Sequence, residues 1–216
     1  MSDFKRICGK MLRYATICLC ISLTVVFFAS CSYGEENKEH GSIELLELES
    51  EELEKYITLG QYKGLYVELG ADEARGEAVW RAVEELSRIG DYPVSHVYYY
   101  RDQIVAEYKF YAEQAGVSYE EMLERLGESE ASILEEAKKL TKSDLVYAAI
   151  VKNEGIAVTD EEKQTLFDRY VEKYVSEYGY EDEYVRAELA DEIYGSMLYD
   201  KTTEFLIVNN SFSESK

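Results

Sequence analysis

Carboxylates, tyrosines, two histidines and four cysteines are the side chains of this sequence that could do chemistry, and their spacing decides which kind. His40 and His96 are the imidazoles. Neither has partners at the short spacings of a zinc site, and neither stands near a candidate nucleophile, so metal-assisted and nucleophilic catalysis find no support. His96 is expected to be an exposed or half-buried residue on a tyrosine-rich helix. Ser213 and Lys216 have the spacing of a Ser-x-x-Lys pair, but they occupy the last four residues, where nothing pre-organises them. There is no glycine-rich phosphate loop, Walker motif or EF-hand loop. With 44 Asp and Glu against 23 Lys and Arg, neighbouring carboxylates follow from composition and diagnose no acid–base pair. The residues point to no cofactor, no metal and no ATP site, and they do not read as an active centre.

Tyrosine points to contact rather than catalysis. Of the 20 tyrosines, all but Tyr14 lie beyond residue 30, with Tyr98, Tyr99 and Tyr100 consecutive and Tyr170, Tyr174 and Tyr178 four apart. A tyrosine ring buries a large apolar area while its hydroxyl tolerates water, which suits a soluble surface that touches varied apolar segments. The candidate peptide-contacting residues are Tyr98, Tyr100, Tyr108, Tyr111, Tyr147, Tyr170, Tyr174 and Tyr194. The alternative is that these rings pack between helices, and periodicity does not separate the two. Helical neighbours lie about 100° apart, so Tyr98 to Tyr100 fan across about 200° and at least one should reach solvent.

The N-terminus speaks of location. Lys5, Arg6, Lys10 and Arg13 precede an uncharged run from Tyr14 to Phe28, followed by Ala29-Ser30-Cys31, the three-part layout of a secretory signal. The apolar run is short for a spanning helix. Phe28-Ala29-Ser30-Cys31 resembles the bacterial lipoprotein box, in which the cysteine takes a diacylglycerol and becomes the new N-terminus, although Phe28 stands where leucine is usual. Cys8, Cys18 and Cys20 fall within the leader, so Cys31 would be the one thiol of the mature chain, with no internal disulfide partner. A signal cut after Ala29 or Ser30 without lipidation, and an uncleaved anchor, stay open. The expectation is a chain attached to a lipid membrane through Cys31 on the extracytoplasmic face.

Removal of residues 1–30 takes four basic residues and Asp3 with it, and leaves a net charge of −24 where the whole chain has −21. Such a surface repels phosphates and anionic headgroups, so nucleic acid and direct docking on lipid are poor partners. Apolar residues recur at regular spacing through the acidic sequence, which marks a folded body and not a disordered tail. The expected organisation is a signal over 1–30, an acidic spacer over 31–55, a helical body over 56–212 and a tail over 213–216.

The elements that must position the tyrosines are mostly helices. Tyr56 to Glu68 is a β-like passage punctuated by glycine, with no second clear strand to pair with it. Ala74, Ala78, Ala82, Leu86 and Ile89 then predict a helix ending at Gly90. Pro93 restarts the chain into a helix lined by Val97, Ile104, Tyr108, Tyr111 and Ala115 up to Gly116. Ser118 with Glu121 predicts a capped short helix to Gly127. A long helix follows with Ile133, Ala137, Leu140, Val146, Ala149 and Ile150, closed by Gly155. Thr159 with Glu162 caps the next, and a final long helix is predicted from about Glu181 to Ile207. A short helix including Ile43 to Leu46 and Leu53 is also open. Five or six helices make an all-α body with one short extended segment near its start.

Leu145 to Glu162, reading LVYAAIVKNEGIAVTDEE, resembles the long helix, glycine stop, apolar link and recapped helix of the bacterial trigger factor C-terminal domain, a pattern shared with SurA-type chaperones. Tyr56 to Glu68 resembles that family's opening strand, Asp91 to Gly127 its tyrosine-rich helix and following short helix, and Lys201 to Phe212 its closing helix. The resemblance covers roughly residues 56–212 and is nearest to shortened lipoprotein relatives in Gram-positive anaerobes. It implies an elongated, multi-helix chaperone domain that cradles unfolded or nascent exported polypeptides without ATP. Two departures matter. The family's basic ribosome-docking signature has no counterpart, so a ribosome is not an expected partner. The family's FKBP-type domain, which carries prolyl isomerase activity, would fall between the opening strand and the helices, where Ala71 to Gly90 offers about twenty residues, too few to build it, so isomerase activity is not carried over with the resemblance. The other readings are an adaptor lipoprotein that binds one folded partner and a degenerate prolyl isomerase.

Overall fold

A computed structural model describes residues 45–214. The expected signal, Cys31, His40 and most of the spacer lie outside the described residues, as do residues 215–216. The described chain is all-α in class, with eight helices and four short strands. It divides into two compact units, residues 45–156 with 202–214, and Ala157–Lys201.

In the first unit, α1 (Ser50–Tyr56) carries Glu51 and Glu52 in its first turn and Lys55 in its last, an order that suits the helix dipole. Leu45 and Leu53, both inside the stretch read as spacer, are buried. The extended passage finds two partners that the sequence did not reveal. β1 (Ile57–Thr58) pairs antiparallel with β3 (Arg88–Ile89), and β2 (Tyr66–Leu69) pairs parallel with β4 (Ser211–Glu214). The first of these pairings requires glycine. A Cβ on Gly60 would lie 2.3 Å from the Leu86 carbonyl oxygen, and one on Gly90 would lie 2.8 Å from that of Lys55.

Helix α2 (Arg75–Leu86) stops before the Gly90 end that the alanine spacing predicted, because Arg88 and Ile89 enter a strand. Its buried face is Ala78, Val79, Trp80 and Val83, while Ala74 and Leu86 are exposed. The i,i+4 alanine stripe was the wrong guide, since burying a tryptophan and two valines removes more apolar surface from water. α3 (Val94–Ala115) begins after Pro93, which occupies the N-cap, and ends at Gly116 with φ 65°. α4 (Tyr119–Leu126) is capped by Ser118, whose hydroxyl accepts from the Glu121 N–H.

α5 (Glu130–Glu154) starts with a reciprocal Ser129–Ser132 cap and stops at Gly155. The two turns before its last are buried nearly all round, at Leu145, Val146 and Ala148 to Val151, the pattern of a helix enclosed by its neighbours. Val97, Ile104, Leu123, Ile133 and Ala137 form the core shared by α3, α4 and α5.

In the second unit, α6 (Asp160–Tyr178) has the predicted Thr159–Glu162 box and stops at Gly179. The single helix expected from Glu181 to Ile207 is two, α7 (Asp182–Glu188) and α8 (Ala190–Val208). Leu189 separates them with φ −113° and ψ 17°, although its N–H still reaches the Val185 carbonyl and its own carbonyl accepts from Ile193. Neither proline nor glycine marks that bend, so the sequence carries no sign of it. Tyr170, Val171, Tyr174, Val185, Leu189, Ile193 and Met197 form this unit's core.

Residues from Thr202 onward in α8 belong with the first unit. The resemblance implied a closing helix through Phe212, but the helix ends at Val208. The Asn210 side chain donates to the carbonyls of Leu206 (2.7 Å) and Tyr62 (3.0 Å) and accepts from Leu65 N–H (2.7 Å), which turns the chain into β4.

Candidate functional site

Five of the eight candidate tyrosines belong to the first unit. α3 places Tyr98, Tyr100, Tyr108 and Tyr111, and α5 places Tyr147. Tyr98 is half-buried, with the Arg101 guanidinium 4.4 Å from its ring centroid, within cation–π range. Tyr147 meets Trp80 edge-on at 6.2 Å, and the Trp80 indole N–H donates to Thr203 Oγ1 at 2.8 Å, so this pair joins α2, α5 and the end of α8.

Tyr100 donates its hydroxyl to Asp144, which also binds His96 Nε2 at 2.8 Å. His96 is buried, not exposed or half-buried as expected, and its ring lies 5.2 Å from that of Tyr100. Its Nδ1 is enclosed and has no hydrogen-bond partner. Asp144, which satisfies the other nitrogen, lies on a different helix, and a reading of short spacings around His96 does not find it. The trio ties α3 to α5.

Tyr108 is half-buried against the core, and its hydroxyl is pushed up to about 12 by burial, with the charges of Glu128, Glu107 and Glu136 adding. Tyr119 is also raised to about 12, first by burial and then by the Glu130 carboxylate to which it donates at 2.9 Å. Tyr111 differs from these. It is 42% exposed, donates to Glu107, and stands 6.0 Å from the ring of Phe110, itself 53% exposed. Phe110 was not among the residues singled out in the sequence, because it lies off the face that periodicity assigned to the core.

The second unit holds Tyr170, Tyr174 and Tyr194. Tyr170 and Tyr174 are buried, their hydroxyls bonded to Asp200 (2.7 Å) and Ser196 (2.9 Å), so both join α6 to α8. Burial, followed by the Asp200 carboxylate, raises the Tyr170 hydroxyl well above its ordinary range. Tyr194 is half-buried beside Phe167, with Lys163 4.8 Å from its ring. A chain of rings runs from Tyr174 to Tyr178 (5.5 Å), on to Tyr180 (6.3 Å) and to Tyr184 (5.8 Å). Tyr178 is 38% exposed. Beyond the last ring, Tyr184, Glu188, Leu189 and Glu192 line a shallow, open depression. In the first unit, α1, β1 and the end of α5 line an open groove of about 390 Å³ over Leu53, Ile57, Leu59 and Ala149.

This arrangement offers aromatic contact surface in each unit. Phe110, Tyr111 and Tyr178 present rings to solvent, while the remaining candidates are wholly or partly committed to packing. Among the described residues no three His, Cys, Asp or Glu side chains are grouped so as to hold a metal ion. No helix among them is long and apolar enough to cross a membrane.

The family described as bacterial trigger factor protein (TF) C-terminus matches residues 67–208, the larger part of the chain. The trigger factor of Clostridioides difficile (strain 630) is 43% identical over 79 residues, which is 35% of this chain and 18% of that protein. The chain therefore spans less than a fifth of the curated relative it matches. Its helical body, from β2 to the end of α8, coincides with the matched range, and the chain belongs to the trigger factor C-terminal domain family.

Proposed function

We propose that this protein is a chaperone-like binder of non-native polypeptides, held by a lipid on Cys31 at the extracytoplasmic face of a bacterial membrane. The observation that carries the reading is the family match over residues 67–208. The relative's printed name, trigger factor, supports it further. Exposed rings at Phe110, Tyr111 and Tyr178 supply the apolar contact such binding needs. The net charge of −24 left after residues 1–30 are removed keeps those rings from driving self-association and draws basic segments toward them. Binding is weak at each contact and readily reversed, since burial of a few rings is offset by the ordering of a flexible client. No step requires ATP. The location rests on the leader-like residues 1–30 and the Phe28-Ala29-Ser30-Cys31 box.

Two measurements test the reading separately. At stoichiometric ratio the purified chain should delay aggregation of a chemically unfolded client, and an unchanged aggregation curve would remove the chaperone reading. In a bacterial host the chain should incorporate labelled fatty acid and partition with membranes, and Cys31→Ala should abolish both. Label that persists in Cys31→Ala would overturn the anchor.

A further inference from the structure

We propose that the groove beside β1 takes an extended, uncharged apolar segment of a client polypeptide, which pairs with the free edge of that strand and makes a third strand of the β1–β3 sheet. This rests on the polypeptide-binding reading above and names the conformation and chemistry that the site selects. The open edge follows from the register. The Gly90 N–H donates to the Tyr56 carbonyl at 2.8 Å, and Ile57 and Ile89 are the next pair along the ladder, so these two turn their N–H and C=O groups away from each other. Thr58 faces Arg88, and the Gly60 N–H turns to the same side, donating to Ser87 Oγ at 3.2 Å. By alternation Leu59, like Ile57, directs its main chain away from β3. The Ile57 N–H bonds back to the Leu53 carbonyl at the end of α1. No described residue partners the Ile57 C=O or the Leu59 N–H and C=O.

The groove borders that edge, for its lining takes Ile57, Thr58 and Leu59 but no residue of β3. Leu53 and Ile57 are buried, and with Leu59 and Ala149 they make an apolar floor. Unpaired main-chain groups beside an apolar floor are completed by another extended chain, whose backbone supplies the missing hydrogen bonds while alternate side chains turn onto the floor. Charge points to the same occupant. The charged residues of the lining are Glu54 and Lys152, one of each sign, so the groove is neutral in a chain of net charge −21. An uncharged segment enters it without leaving a charge unpaired. Pairing through the main chain does not depend on a particular sequence, which suits a site for varied clients.

The test uses the full chain and two labelled, unstructured peptides with the same uncharged core of alternating valine and threonine, one of them N-methylated at four successive core residues. Methylation adds apolar surface but removes the N–H donors and crowds the strand edge. The unmodified peptide should bind about ten-fold or more tightly, the loss of two or three main-chain hydrogen bonds. Leu59→Pro removes the N–H that Leu59→Ala keeps, and should bind the unmodified peptide roughly three- to ten-fold more weakly than Leu59→Ala does. Should the proline variant not fold, amide exchange in the parent chain decides. The Leu59 amide should exchange quickly in the free chain and about ten-fold or more slowly with saturating peptide, while Thr58, already facing Arg88, changes little. Equal binding of the two peptides, or a Leu59 amide that bound peptide does not slow, overturns the strand-edge site and leaves the polypeptide-binding reading standing. A Leu59 amide that slows as the chain is concentrated without peptide assigns the edge to a second copy, and one slow at every dilution assigns it to the chain itself. Either result overturns the client assignment. Failure of both peptides to bind while client aggregation is still delayed removes this site alone, and failure of both with no delay overturns both proposals.

Discussion

Lys201 Nζ holds both carboxylate oxygens of Glu162, at 2.6 and 2.8 Å, and also donates to the Ala157 carbonyl at 2.8 Å. Glu162 in turn accepts from the Thr159 N–H at 2.7 Å, so one carboxylate closes the N-terminus of α6 and receives the end of the second unit. The Lys201 bond, and then the Thr159 bonds, lower the Glu162 carboxyl to about 2 from its ordinary 4.5. A depressed carboxylate contributes stability above its unfolded value and loses it as pH falls through the folded one. Thermal melts between pH 6 and pH 2 should therefore show Tm dropping below about pH 4.5, and Glu162→Gln should flatten that drop while lowering Tm at neutral pH. Identical acid limbs in the two proteins would show that Glu162 is not coupled to folding.

Asn210 replaces three backbone partners at once. Its amide serves the Leu65 N–H and the carbonyls of Tyr62 and Leu206, at the point where α8 stops and β4 begins. Asn210→Ala leaves these half-buried groups to find water, at a cost of about 1–3 kcal/mol. Amide exchange should quicken across β2 and β4, while α6 and α7, which lie in the other unit, keep their protection. Uniform acceleration across the chain would instead mean global destabilisation.

Much of the fold was legible because helix boundaries are written in local chemistry. Ser118, Ser129 and Thr159 cap helices, and Gly116, Gly127, Gly155 and Gly179 end them with positive φ, all within a few residues of the signal. What was not legible depends on contacts distant in sequence. β2 meets β4 about 145 residues later, and His96 is buried because Asp144 comes from another helix. The site was half legible for the same reason. Four-residue spacing put Tyr170, Tyr174 and Tyr178 on one face, but only the structure separates the two buried rings from the exposed one.

Two glycines should respond in opposite senses to alanine. At Gly60 the added carbon meets backbone, the Leu86 carbonyl at 2.3 Å, which cannot yield without parting β1 from the end of α2. Gly60→Ala should lower stability by about 2 kcal/mol or more. Gly195 lies inside α8, where an added methyl group would find nothing within 4 Å, so alanine there gains helix propensity of about 1 kcal/mol. Denaturant midpoints check both, and a stabilised Gly60→Ala would contradict the close approach.

Tyr108 and Tyr119, each raised to about 12, should make the chain sensitive to alkali. A phenol whose folded value exceeds its unfolded value of about 10 contributes full stability below that value and loses it as pH rises toward 12. Tm should hold to about pH 10 and then fall. Tyr119→Phe should reduce the alkaline slope, and the tyrosinate absorbance of the native chain should titrate in more than one step. A single step at the ordinary value would mean that these rings are not held as described.

Exposure and burial together predict which rings act on clients. Phe110 and Tyr111 stand side by side in solvent on α3, and the Tyr111 hydroxyl donates to Glu107, one turn back on the same helix. Phe110→Ser/Tyr111→Ser should leave Tm nearly unchanged and weaken suppression of client aggregation by about ten-fold or more, since each half-exposed ring adds about 1 kcal/mol when its free face is buried. Tyr170→Phe removes a buried hydroxyl bonded to Asp200 and should do the reverse, costing about 1 kcal/mol of stability while sparing client binding. If Tyr170→Phe instead impaired binding at unchanged Tm, the ring would have to leave the core to meet a client. The four-residue tyrosine spacing of α6 would then describe a contact face that opens, not a packed one.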